Sequence, residues 1–144
     1  MVWHLANIKN GFTLIELIIV IIIIGIIVSI IPVMITNYLK SQDLITSVEL
    51  LENSIKFTQS TSNSQYKSKI IINKLLNEYY INTQNFSDTI QLPKNINIQS
   101  SPDSIVFNYK GVASNLEDKN IVLTNGEKNI GITIKKITGA IIKN

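Results

Sequence analysis

One carboxylate, Glu16, stands in a stretch that is otherwise uncharged from Leu14 to Ile35. An ionised group inside a bilayer costs up to about 2.5–3.5 kcal/mol at the helix centre, less near the interface, so such a residue calls for a named partner. A backbone cut between Gly11 and Phe12 would supply one: the new amine lies one helical turn before Glu16. An ammonium and a carboxylate at that spacing, on the same or a neighbouring chain, neutralise each other in a low-dielectric setting. Gly11 suits such a cut, because a peptidase must approach the backbone closely there.

No other set of reactive side chains accompanies this pair. Cysteine is absent, which excludes disulfides and thiolate metal sites. The one histidine, His4, precedes the cut, so the remaining chain lacks the commonest general base and metal ligand. Serines and threonines are plentiful but have no base near them in sequence, and no glycine-rich phosphate loop occurs. The residues point to no enzyme, no cofactor and no metal. Glu117, Asp118 and Asn120 offer oxygen ligands of the kind calcium takes, without EF-hand spacing; with Asp103 they read as solvated turn residues.

All thirteen basic residues are lysines, and the formal charge is +3. Lys128, Lys135, Lys136 and Lys143 make the carboxy-terminal end basic. Lysines supply sequence-independent attraction to phosphates, a low-specificity DNA contact. Bidentate recognition leans on arginine, which is missing, and Glu117, Asp118 and Glu127 lie close by. A solvated strand face accounts for these lysines as well.

The element that must position Glu16 is long and apolar. Hydrophobic residues form 45% of the 144, unevenly spread, so a membrane piece is joined to a water-soluble one. Residues 12–35 would extend about 36 Å as a helix, enough to cross a hydrocarbon core of roughly 30 Å with some tilt. Isoleucine and valine dominate there; in lipid their weak helix preference is overridden, because each backbone group must bond internally. The run exceeds an ordinary secretory h-region and lacks a small-x-small site after it. Gly25 and Pro32 weaken the helix locally, and an ordinary kinked membrane helix tolerates both.

After Pro32 the pattern becomes amphipathic. Leu44, Val48, Leu51 and Ile55 recur at helical spacing with Asp43, Glu49, Glu52, Asn53 and Lys56 on other faces. One helix over 13–57 is expected, its second half (36–58) packed on a head domain, although 37–38 could host a break. The polar run 59–65 ends it. Short β-branched and aromatic runs follow at 69–73, 78–82, 96–99, 104–110, 121–124, 130–135 and 140–142. The first two form a hairpin, Asn125-Gly126 signals a second, and Ile105, Phe107 and Tyr109 are expected on one face. The fold class is therefore α+β: a long amino-terminal helix packed on an antiparallel sheet in a β-rich head, 59–144.

The segment Lys9-Asn10-Gly11-Phe12-Thr13-Leu14-Ile15-Glu16-Leu17 closely resembles the cleavage motif of type IV prepilins and type II secretion pseudopilins. The resemblance implies a leader peptide, 1–11, removed after Gly11 by a membrane prepilin peptidase that also methylates the Phe12 amine. It implies that Glu16 sets register by pairing with a neighbouring subunit's first residue, and that Gly25 and Pro32 bracket a stretch that loosens on assembly. The implied partners are other pilin subunits, the peptidase, an inner-membrane assembly platform and, before assembly, lipid. The implied location is a single-pass inner-membrane protein with an exported head, later part of an extracellular or periplasmic filament.

The final fifty or so residues also resemble the GspH/FimT-type minor pseudopilins. The carriers are Leu92-Pro93 before a strand, Ile105-Val106-Phe107 followed by Gly111, and Ile132-Thr133-Ile134 followed by Thr138-Gly139. Members commonly follow that last glycine with arginine, where this chain has Ala140. The resemblance implies a non-enzymatic minor subunit that starts or caps a filament. Some FimT-like members bind DNA through arginine-bearing carboxy-terminal segments, which makes a DNA receptor for natural transformation the alternative.

Overall fold

A computed structural model describes residues 12–114 and 117–144. Among the described residues the element order is one helix, α1 (Leu14–Ser60), and then eight strands: β1 (Lys69–Asn73), β2 (Glu78–Asn82), β3 (Ser87–Gln91), β4 (Asn97–Ser100), β5 (Ser104–Val106), β6 (Lys119–Thr124), β7 (Asn129–Ile134) and β8 (Ile141–Lys143). The α+β class and the helix-then-strands order expected from the sequence are those of the structure. The chain divides into two compact units, one ending at Asn37 and the other spanning Tyr38–Asn144.

Among the described residues the first unit comprises Phe12, Thr13 and the apolar start of α1. Its described side chains are exposed, from Phe12 at 82% to Ile35 at 51%. A water-soluble protein does not leave so continuous an apolar surface uncovered, and the segment is long and apolar enough to cross a membrane. Pro32 lies inside α1, and residues 37–38, where the sequence allowed a break, are helical.

In the second unit Leu44, Val48, Leu51 and Ile55 form the buried stripe of α1, as their spacing predicted. They join one core with Ile70 and Ile72 of β1, Tyr79 and Ile81 of β2, Ile105 of β5, Ile121 and Leu123 of β6, and Ile132 and Ile134 of β7. The helix ends at Ser60, three residues beyond the expected Phe57. There the Thr61 and Ser62 amides turn back onto the carbonyls of Phe57 and Gln59.

The strands form two antiparallel four-stranded sheets, ordered β3-β2-β1-β5 and β4-β6-β7-β8, rather than the single sheet expected. Alternation shows which side of a strand is buried but not which sheet the strand joins, because the period is the same in both. β3 was not expected at all. Its sequence, SDTIQ, has almost no buried position, as befits an edge strand with little alternation to read.

A second correction concerns 104–110. Ile105 and Phe107 are fully buried, but Tyr109 is 61% exposed. The side chain of Asn108 accepts from the amides of Lys110 and Val112, and the Gly111 amide donates to the Asn108 carbonyl, so the chain turns before Tyr109 can follow Phe107 inward. The two hairpins predicted from the sequence are present, with Lys69 opposite Asn82 in one and Thr124 opposite Asn129 in the other.

Gly139 is held closely. Its φ is +67°, and an added Cβ would stand 2.7 Å from the Gly111 carbonyl oxygen, while the Gly139 carbonyl accepts from Gln59 Nε2 at 2.8 Å. Gly139→Ala is expected to destabilise the head by about 1–3 kcal/mol, read as a lower urea midpoint. Gly126→Asn, at a positive φ in open space, is the tolerated control.

Candidate functional site: the amino-terminal turn of the long helix

Helix α1 begins with an arrangement local to four residues. The Thr13 carbonyl accepts the first helical bond, from the Leu17 amide at 3.2 Å, which makes Thr13 the N-cap. Its hydroxyl oxygen accepts from the Glu16 amide at 3.3 Å. Glu16 Oε2 in turn accepts from the Thr13 amide and from the Thr13 hydroxyl, both at 2.9 Å. This is a capping box: the first and fourth residues of Thr-x-x-Glu satisfy each other's amides, which no intrahelical carbonyl can reach. The carboxylate also lies at the positive end of the helix dipole.

Thr13 is the residue that sequence reasoning passed over. Its signal was legible, since Thr-Leu-Ile-Glu ahead of an apolar run is a recognised helix start. Both Thr13 bonds fall on one carboxylate oxygen, and no partner for Glu16 Oε1 occurs among the described residues. That oxygen remains able to accept from a cation while the box stays closed.

The other candidate residues are placed as follows. Gly11, and with it the amino side of the cut, lies outside the described residues. Phe12 precedes the helix and is largely exposed. Gly25 lies mid-helix, with nothing near where a Cβ would stand, and Pro32 sits a little further along the same helix.

The four carboxy-terminal lysines are not brought together. Lys128 is in the β6–β7 turn, whereas Lys135 and Lys136 follow the other end of β7, about 23 Å along an extended strand. Lys143 is on β8, opposite Ile132. Lys135 Nζ contacts Asp118 Oδ2 at 2.7 Å, and the Lys136 amide donates to Asp118 Oδ1 at 2.9 Å. First the Lys135 ammonium and then the Lys136 amide hold the Asp118 carboxyl below its ordinary range. Asp118 thus already has a cationic partner, and Asn120 Oδ1 lies 3.4 Å from the Thr133 hydroxyl. Among the described residues no group of three or more acidic or imidazole side chains is placed to hold a metal ion.

A family model described as the prokaryotic N-terminal methylation motif matches residues 7–32. Neither a curated protein nor a solved structure matches the chain. The matched stretch contains Gly11, Phe12, the Thr13–Glu16 box, Gly25 and Pro32. The chain therefore carries a prepilin-type methylation signal joined to a membrane-compatible helix.

Proposed function

We propose that this chain is a minor pilin or pseudopilin, a non-enzymatic subunit that is cut after Gly11, methylated on Phe12 and built into a filament through α1. One observation carries the reading: the methylation motif falls on the exposed apolar first half of α1, where from Leu14 to Ile35 the only charge is a first-turn carboxylate with an oxygen to spare. In a lipid or helix-packed setting that carboxylate requires a cation, and a neighbouring subunit's freed Phe12 amine is of the right charge and size. The helix would serve first as a single membrane span with an exported head and then as filament core, with Gly25 and Pro32 bracketing the stretch that loosens on assembly. The peptidase, an assembly platform and other pilin subunits are the partners this life cycle requires.

A GspH/FimT-type head is the subgroup proposed. In support, Leu92-Pro93 leads toward β4, Phe107 precedes a turn at Gly111, and β7 is followed by the constrained Gly139. The DNA-receptor alternative draws no support from the lysines, which are dispersed and in one case paired with Asp118.

Mass spectrometry of the protein from peptidase-positive cells is the test. The amino-terminal peptide should begin at Phe12 and carry one added methyl group. A chain that retains Met1 there would overturn the reading.

A further inference from the structure

Two adjacent leucines occupy the β1–β2 turn, where Gly, Asn, Asp or Ser is usual. Leu75 is 97% exposed and Leu76 59%. The turn is pinned: the Leu76 amide donates to Asn73 Oδ1 at 3.3 Å, and the Asn77 carbonyl accepts from the Leu92 amide at 3.0 Å. Asn77 Nδ2 also donates to the Ile96 carbonyl. The leucines are thus displayed by a tied-down backbone, with half-exposed Ile71 beside them.

Side-chain bonds place this turn at one particular end of the head. The neighbouring β3–β4 connection reaches α1, where Asn95 Nδ2 donates to Asp43 Oδ2 at 2.8 Å. The β6–β7 turn reaches it too, where Asn125 Nδ2 donates to the Lys40 carbonyl at 3.2 Å. Both contacts fall in the opening turns of the head's share of α1, just after the apolar run. From Ile35 to Lys40 is about 8 Å of helix, and about 17 Å even if fully extended. By chain length alone, this end of the head cannot leave the vicinity of a membrane that holds residues 12–35.

We infer that, before assembly, this end of the head docks on the lipid surface, with Leu75 and Leu76 inserted at the boundary between headgroups and acyl chains. The inference rests on the membrane-span reading of α1. Lys40, Lys74, Lys94 and Lys128 surround the end, and the carboxylates of Asp43, Glu78, Asp103 and Glu127 lie among them. Four charges of each sign cancel, so the leucines and not net charge drive insertion, and a neutral bilayer suffices. Tethering makes the contact intramolecular, which lets a small apolar patch hold where it could not recruit a free protein. The lysine stems can lie along the apolar boundary while their ammonium groups stay in water.

The chain has no cysteine, so a single environment-sensitive fluorophore can be placed in the full-length protein, one chain per phosphatidylcholine nanodisc. Leu75→Cys reports the turn. Ile137→Cys, exposed beside the Gly139 loop at the other end of the head, is the aqueous control, and Ile24→Cys reports the span. Lipids brominated near the headgroup are expected to quench the label at 75 roughly twofold, as for groups about 5–10 Å into the interface, and to leave 137 unchanged. Deeply brominated lipids should quench 24.

Quenching at 24 with none at 75 overturns the docking and leaves the span standing. No quenching at 24 removes the span and the docking with it. Shielding at 75 only in discs holding two chains, without bromine quenching, assigns the leucines to a second copy and overturns the lipid contact. A requirement for phosphatidylserine would overturn the leucine-driven basis.

Discussion

Glu16→Gln is expected to leave the leader cleaved after Gly11 and Phe12 methylated, yet to reduce filament yield nearly as severely as Glu16→Ala. The capping box separates two roles that a single alanine substitution would merge. Glutamine can replace glutamate in such a box, so Glu16→Gln keeps the amide contact to Thr13 and removes only the charge. If the charge neutralises a neighbour's amine, its loss leaves that amine unpaired among apolar helices. Deleting one partner of a buried ion pair costs about 3–5 kcal/mol. Since about 1.4 kcal/mol is a factor of ten in an equilibrium, assembly should fall by about a hundredfold or more.

Thr13→Val makes the complementary change, opening the box while keeping the charge. The cost there is that of a lost N-cap, about 1 kcal/mol, and assembly should fall only modestly. Counting filaments by electron microscopy, alongside mass spectrometry of the processed amino terminus, compares the three variants directly. Wild-type filament numbers from Glu16→Gln together with a collapse in Thr13→Val would show that the carboxylate acts by capping alone.

Phe107→Ala should be the most damaging single change in the head. The ring is fully buried in the common core, and truncating such a phenylalanine costs about 3–5 kcal/mol. Its backbone also ties elements together, donating to the Ser68 carbonyl at 2.8 Å and accepting from the Ser62 hydroxyl at 2.7 Å. A collapse of the segment around the new cavity would disturb the point where the end of α1 meets the strands. Against a usual total of about 5–15 kcal/mol, that loss should lower the urea midpoint by about 2 M at unchanged slope.

Tyr109→Ala is the informative comparison. By alternation alone it would share a face with Phe107, but it is exposed, so its cost should stay within about 0.5 kcal/mol. Full-length protein in detergent, followed by near-ultraviolet circular dichroism, distinguishes the two. Equal losses at 107 and 109 would contradict the turn at Asn108.

The contrast between these two aromatic residues shows where sequence reasoning stops. Ile105 and Phe107 were legible because they alternate. The reversal after them depends on one side chain, Asn108, and an Asx turn leaves only a short polar signature. β3 escaped notice for the opposite reason: an edge strand buries little, so selection of its residues for a core leaves no pattern. At the amino terminus the balance is different. The methylation motif was legible because its residues follow one another in the chain, and Thr13 could have been added from the four-residue window that it shares with Glu16.

The sequence by itself determined the parts of this protein that are local: the methylation signal, the unbroken run that makes α1, the buried stripe from Leu44 to Ile55, and the hairpin at Asn125-Gly126. In each, the interacting residues are separated by a turn or less, or by a fixed period, so their types state the structure. Only the tertiary structure decided how eight strands divide into two sheets, that Lys128 and Lys135 stand at opposite ends of β7, and that Leu75 and Leu76 are held at the end of the head where α1 enters. Those outcomes depend on which distant segments meet. Ladder hydrogen bonds are made by backbone groups that every residue carries, so the identity of the partner strand is written in no single stretch of the chain.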